Sequence, residues 1–293
     1  MTTSGSNQVV DFRRALKRAA PSLKRDLPWI NHGDPWAILV SEVMLQQTQV
    51  SRVLEPWARF VSTFPTATDC ADAPLSQVLR LWAGLGYHRR AKALHAAAIM
   101  IRDDFAGAVP SDVSQLRLLP GVGEYTANAV ASFAFGQSVA VLDTNVGRVL
   151  ARAIANRTLS TVEARDLARD LLGRGASASF NQALLDLGAR HCKSNPQCGE
   201  CPVKKSCRWH HEGGKDPAIK SAAVSQPQPR FAGSNRQLRG TVLRVLRDGP
   251  QTETSLLAHV ESTDDARREA ILEGLVREGL VQRTGRVLRL VGD

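Results

Sequence analysis

Apolar side chains recur three and four positions apart through most of the first 210 residues. Val9, Val10, Phe12, Leu16 and Ala19 mark the first such stripe, with basic residues between them, and predict a helix over residues 8–25. Pro28 and the segment Asn31-His32-Gly33-Asp34-Pro35 break the chain. From there to about residue 210, one helical stripe follows another across short Pro/Gly turns. No run alternates with the period of two expected of a strand, so an all-α body is predicted. Residues 213–235 lose the periodicity; Gly213-Gly214, Pro217, Pro227 and Pro229 with several Ser and Gln read as a linker. Beyond it, helices are predicted over Arg236–Arg247, Thr252–Val260 and Asp264–Glu278. Leu280–Arg283, a turn at Thr284-Gly285, and Val287–Val291 then read as a β-hairpin. Three helices and a hairpin is the winged-helix order, which many small α+β modules share. No internal repeat of useful length is present.

Length and charge narrow the picture. A chain of 293 residues suffices for two or three compact units. Lys and Arg number 38 against 28 Asp and Glu, a net charge of +10. That balance points to a polyanionic partner, nucleic acid first, or to a basic surface with no particular partner. No apolar run approaches a membrane span, and Met1–Asn7 has no signal-peptide core, so a cytoplasmic location is expected. Four of the five cysteines crowd into Cys192-x5-Cys198-x2-Cys201-x5-Cys207. An odd count with one tight cluster favours a metal site over a disulfide framework. Four thiolates with a C-x2-C element suit zinc or an iron–sulfur cluster. Lys193, Lys204, Lys205 and Arg208 beside them form either a phosphate-contacting face or a solvated basic rim. Cys70 stands alone and reads as a buried, inert thiol.

Two further segments carry candidate chemistry. In Leu119-Pro120-Gly121-Val122-Gly123, two glycines let the backbone turn sharply just before a helix begins. The free N–H groups of that helix start can meet a phosphate, though an ordinary helix–helix turn has the same look. In Trp36–Thr48, the helical neighbours of Glu42 are Ile38, Leu39, Leu45 and Gln46, three of them apolar. A carboxylate there is poorly solvated, which favours its protonated form and suits a general acid. The bland reading is a Glu at the rim of an amphipathic helix. Asp143, ahead of Thr144, Asn145 and the apolar Val146, Val149 and Leu150, reads as a helix N-cap, a role compatible with catalysis.

Leu118–Ala129 followed by Val141-Leu142-Asp143-Thr144-Asn145-Val146 resembles the helix-hairpin-helix DNA glycosylase superfamily. Within it, Leu27-Pro28-Trp29, Ser41–Thr48, Gly84-Leu85-Gly86-Tyr87 and Phe180–Ala189 fall in the order of the A/G-specific adenine DNA glycosylases, the MutY family. Together the matches span about residues 25–210. The resemblance implies that Glu42 protonates adenine at N7 and later activates water, that Asp143 stabilises the sugar cation, and that Tyr125 and Asn145 orient them. Strand-cleaving members carry a Lys where Tyr125 stands, so a monofunctional glycosylase is implied. Gly121 and Gly123 would hold a DNA phosphate. Gln47 and Tyr87, with Gln46, Thr48 and Leu85 beside them, would wedge into the stack at the mispaired guanine; Arg25 and Trp29 would line the adenine pocket. For Tyr87 and Trp29, plain core packing is the commoner fate. The cysteine loop resembles the [4Fe–4S] loop of the superfamily, with Cys192, Cys198, Cys201 and Cys207 as ligands, its first gap one residue shorter than usual.

The implied architecture is mainly α: a two-lobed helix-hairpin-helix glycosylase core with an iron–sulfur loop, plus a C-terminal winged-helix-like α+β module. Residues 1–28 and 135–212 would form the cluster lobe, 29–134 the six-helix lobe, 213–235 the linker and 236–293 the module. The expected partner is double-stranded DNA with A:8-oxoguanine or A:G mispairs, bound by a monomer in the cytoplasm at the nucleoid. Thr144 stands where many members have Gly, His88 where many have a second Tyr, and Ile30 where a polar residue is common. Residues 234–293 do not resemble the Nudix-like domain with which many members end. They read as a grip on flanking DNA, a protein-docking module or a structural cap. Two rival functions remain: a G:T mismatch thymine glycosylase of the same superfamily, and a non-catalytic iron–sulfur DNA-binding protein.

Overall fold

The first apolar stripe forms α1 (Thr3–Leu23), whose Phe12, Leu16 and Leu23 are fully buried. The computed structural model describes residues 3–30, 32–173, 175, 178–225, 228–260 and 264–293. Of the positions named above, Met1, Asn31 and Pro227 lie outside the described residues. The chain divides into two compact units, residues 1–33 with 124–227 and residues 34–123 with 228–293.

In the first unit, α1 packs on α10 (Thr161–Leu172) and α11 (Ala178–Arg190), burying Leu16, Leu171 and Leu184 in one core. The unit also holds α8 (Glu124–Phe135), α9 (Thr144–Val149) and α12 (Arg208–Glu212). A π-helical turn, Leu150–Ala155, continues α9. Such turns shift side chains off the α-helical register, and this one carries the buried Arg152. Helix α11 crosses α9 at Gly188, where a Cβ would stand 2.6 Å from Asn145 Cβ.

The second unit holds the six helices α2 (Pro35–Leu45), α3 (Val50–Thr63), α4 (Ala67–Asp72), α5 (Leu75–Leu81), α6 (Arg89–Asp104) and α7 (Val113–Leu116). Asp34 caps α2 by accepting from Trp36 N and Ala37 N, each at 3.1 Å, with Pro35 pre-set at the first position. Trp36 to Met44 are all buried, so this helix is the spine of its lobe. Trp57 Nε1 donates to Ala37 O at 2.9 Å and Trp36 Nε1 to Phe64 O at 3.0 Å, satisfying both indoles.

The C-terminal residues belong to this second unit. They fold as α13 (Asn235–Arg247), β1 (Gln251–Thr252), α14 (Glu253–Ala258), α15 (Asp265–Arg277), β2 (Val281–Thr284) and β3 (Val287–Leu290). The expected hairpin is β2–β3, paired Val281 to Leu290. The strand β1 adds to β3 in an antiparallel sheet of order β1-β3-β2; two residues are too few for a period to show. The module is docked through α5 and α6. Arg80 pairs with Asp293 at 2.8 Å and donates to Arg247 O at 3.2 Å. Arg89 and Arg239 both bind Glu278, whose carbonyl accepts from Lys92 Nζ at 2.6 Å.

The stretch 213–235, expected as a linker, is partly packed. Ala218 and Ser221 are buried, Ala222 N donates to Leu159 O at 2.9 Å, and Ala223 lies against Gly147. Small residues let this segment lie flush on the helices, and its Pro and Gly content resembles that of a free tether. No helix among the described residues is long and apolar enough to cross a membrane.

Candidate active site and cysteine cavity

Glu42 sits on the spine helix α2 with 5 % of its surface exposed, among buried Ile38, Leu39, Val43 and Met44. Burial rather than the exposed rim is therefore its setting. One turn on, Gln46 Nε2 donates to Gly121 O at 3.3 Å, tying the end of α2 to the glycine turn. Gly121 has φ +79, and a Cβ there would meet Ala93 Cβ at 2.8 Å. Only glycine meets both demands. Gly123 has ordinary φ and open space where a Cβ would project.

Gln47 and Tyr87 share an unusual backbone, with φ of 56° and 48°. Each such residue costs about 1–3 kcal/mol and persists where its surroundings hold it. The holder is Arg90, which the sequence reading missed. Its Nη1 donates to the carbonyls of Val43 and Met44, both at 2.9 Å, and of Gln46 at 2.6 Å. Its Nη2 reaches Thr48 Oγ1 at 3.0 Å and Leu85 O at 3.2 Å. The guanidinium also lies over the Trp82 and Tyr87 rings. Burial lowers the Arg90 pKa to about 10, so the charge stays in place at neutral pH. One side chain thus joins the segments carrying Gln46, Gln47, Thr48, Leu85 and Tyr87. An arginine two residues after a helix-initiating His was the available signal.

In the first unit, Asp143 caps α9. Its Oδ1 accepts from Val146 N at 2.7 Å, and its Oδ2 accepts from Asn145 Nδ2 at 2.5 Å. Asp143 is partly covered, and desolvation raises its carboxyl pKa while those two donors and the Arg148 charge oppose the rise. Asn181 pins the approach, accepting from Val141 N at 3.4 Å and donating to Val139 O at 2.8 Å. Thr144 Oγ1 meets Ser225 Oγ at 2.7 Å and accepts from Ser225 N at 3.2 Å. The packed 218–225 segment therefore uses a hydroxyl where Gly would offer none. Tyr125 is half-buried against the unit's core. Trp29 is buried, and Arg25 Nε binds the buried Asp186 Oδ1 at 2.6 Å. Glu42 and Asp143 fall in different units.

Cys192, Cys198, Cys201 and Cys207 line a single cavity with Val149, Leu187 and Val203. Burial pushes the Cys207 thiol up to about 11 and also raises Cys192 and Cys201, so metal binding must displace protons. Among the described residues no three His, Cys, Asp or Glu converge closely enough to hold a single metal ion. Arg152 Nη1 donates to Cys192 Sγ at 3.4 Å and to Lys193 O at 2.6 Å, and its charge is balanced by Asp216 at 2.5 Å. Arg148 Nε donates to Cys192 O at 2.7 Å. Four thiols around an apolar cavity, with guanidiniums to offset thiolate charge, fit an iron–sulfur cofactor. Arg148 and Arg152, basic residues within an apolar helical run, were the overlooked signal.

Residues 40–173 match the HhH-GPD superfamily of base excision DNA repair proteins. The fold resembles a thermostable thymine-DNA glycosylase with a TM-score of 0.64 and 28% identity, covering 70% of this chain and 98% of that one. A trapped endonuclease III–DNA covalent intermediate gives the same TM-score at 27% identity, covering 72% of this chain and 99% of that one. These matches define the class: a DNA glycosylase of base excision repair. The adenine DNA glycosylase of Mycolicibacterium smegmatis is 44% identical over 89% of each chain. The human adenine DNA glycosylase is 39% identical over 74% of this chain and 43% of its own length. The chain belongs to the adenine DNA glycosylase family.

Proposed function

We propose that this glycosylase removes adenine mispaired with 8-oxoguanine or guanine in double-stranded DNA of the nucleoid, acting as a monomer without strand-lyase chemistry. The observation that carries the reading is Glu42. A glutamate buried in the spine helix of a 44%-identical relative of an adenine DNA glycosylase supports a general-acid role. Glu42 gives that proton to adenine N7 as the N-glycosidic bond breaks, so the base departs neutral. The Asp143 carboxylate stabilises the cationic sugar at C1′, directly or through a transient bond. Water then adds to C1′, and its proton returns to Glu42. Tyr125 offers no amine for a Schiff base. Asn145 fixes Asp143, as its 2.5 Å hydrogen bond supports. Gln46, Gln47, Thr48, Leu85 and Tyr87 form the mispair wedge, Gly121 and Gly123 the phosphate turn, and Arg25 and Trp29 the base pocket wall.

Cys192, Cys198, Cys201 and Cys207 would hold a [4Fe–4S] cluster, which cross-links the loop that bears them and leaves the hydrolysis to the carboxylates. Iron and sulfide analysis of protein purified without oxygen distinguishes this from zinc.

The test is single-turnover excision from duplexes bearing A opposite 8-oxoguanine, A opposite G, T opposite G and A opposite T. Adenine release from the first two alone is expected. Thymine release from T:G would move the protein to the thymine reading. Binding without any release would make it a non-catalytic DNA-binding protein.

A further inference from the structure

The residue proposed to wedge at the mispair is held from two sides, and the second side is the C-terminal module. Arg90 N donates to the Tyr87 carbonyl at 2.8 Å, and the Arg90 guanidinium lies over the Tyr87 ring. At its phenol end Tyr87 meets residues far along the chain. Arg236 Nη1 donates to Tyr87 Oη at 3.1 Å, and Tyr87 Oη donates to Gln228 Oε1 at 3.4 Å. Arg236 stands in the first turn of α13, capped by Ser234. Its Nη2 donates to Pro229 O at 2.5 Å, and its guanidinium lies 6.0 Å from the centroid of Phe231, an exposed ring. The fork is thereby aimed: one arm is committed to the Pro229 carbonyl just before its helix and the other to the phenol.

Docking of the module does not depend on this contact. Glu278 with Arg89, its carbonyl with Lys92, Arg80 with Asp293, and Gly292 against Leu75 all hold it elsewhere. A structural cap has no need of a guanidinium on the phenol of a proposed wedge residue. We infer that the C-terminal module takes part in mispair recognition through Arg236, a positioning residue that fixes the Tyr87 phenol. The inference rests on the reading of Tyr87 as a wedge at the mispaired purine. It gives this module a share in discriminating 8-oxoguanine from guanine, in a chain whose C-terminal residues fold as three helices and a small sheet.

The test measures single-turnover adenine excision from A:8-oxoguanine and A:G duplexes for R236A, R236K, Y87F, Y87A and the R236A/Y87F double variant, with thermal midpoints for each. Arg244, exposed further along the same helix, supplies the charge control R244A. R236A and Y87F should each lower the ratio of the two rates roughly fivefold, the scale of one lost hydrogen bond. The double variant should be no worse than either single one, R236K should restore part of the ratio, and R244A should leave it unchanged. Effects that multiply in the double variant overturn the inference. So does a loss with Y87A that neither Y87F nor R236A shares. If Y87A itself changes neither rate, the wedge reading fails, and the inference falls with it for that separate reason.

Discussion

Asn145 Oδ1 lies 2.6 Å from Arg148 Nη2, one turn along α9. The same asparagine donates to Asp143, and the same arginine donates to the carbonyl of Cys192. A continuous chain of hydrogen bonds therefore runs from the capping carboxylate to the cysteine loop. Arg148 is almost fully buried, so its fork has no water to fall back on.

R148K keeps the charge and loses the fork. Asn145 then loses its orienting partner, and Asp143 loses part of the interaction that opposes its raised pKa. Excision should fall about ten- to a hundredfold, the scale of a lost hydrogen bond to a charged group, with duplex affinity retained. The acidic limb of the rate profile should move to higher pH, because a carboxyl with a higher pKa is ionised only in less acidic solution. A pH–rate profile checks both; an unmoved limb would detach Arg148 from Asp143.

If Glu42 is the general acid, E42Q removes the proton it transfers and keeps the shape of the residue. General acid–base groups contribute roughly 10²–10⁴-fold, so excision should drop by about that factor while mispair binding persists. Binding by anisotropy and excision by gel are measured on one duplex. Retention of more than a tenth of the rate would remove Glu42 from the chemistry.

Three glycines make contrasting demands. A methyl at Gly188 would press on the Asn145 backbone at 2.7 Å, where neither partner can swing away. G188A should cost about 1–3 kcal/mol of stability and also slow excision, because the displaced residue holds Asp143. G121A meets both a positive φ and Ala93, and should destabilise without touching Asp143 directly. G123A has ordinary φ and open space, so it should fold normally and lose duplex affinity if the turn holds a phosphate. Urea unfolding set beside duplex affinity separates the three.

Much of this site was legible because its chemistry is local. Glu42 on an apolar helix, Asp143 before a helix start, two glycines in a turn and four clustered cysteines each announce themselves within a short window. The C-terminal helices were legible for the same reason, their periodicity being local; the structure adds the caps Ser234, Thr252 and Asp264. What stayed hidden were side chains whose partners lie far along the chain. Arg90 acts on carbonyls more than 40 residues back, Arg152 on a loop 40 residues on, and Arg236 on a phenol 149 residues away. The docked 218–225 segment was misread because small residues signal a tether and a close contact alike. The strand β1, two residues long, has no pattern to read.

His88, at the start of α6, tests the docking of the module by pH. Burial and the nearby charges of Arg247, Arg239 and Arg90 lower its pKa from 6.5 to about 4. The folded protein therefore keeps it neutral where the unfolded chain takes up a proton. A base whose folded pKa is depressed makes stability fall as pH drops through the window from about 6.5 to about 4. The full shift is worth at most about 3 kcal/mol at 1.36 kcal/mol per unit, less where solvent reaches the ring. H88Q removes the titration and keeps a polar group of similar size. Between pH 7.5 and 5 the parent should lose more stability than H88Q in urea unfolding, and the difference should vanish above pH 7. Equal losses in the two proteins would show that His88 is free to take its proton in the folded state, and that the three arginines do not crowd it.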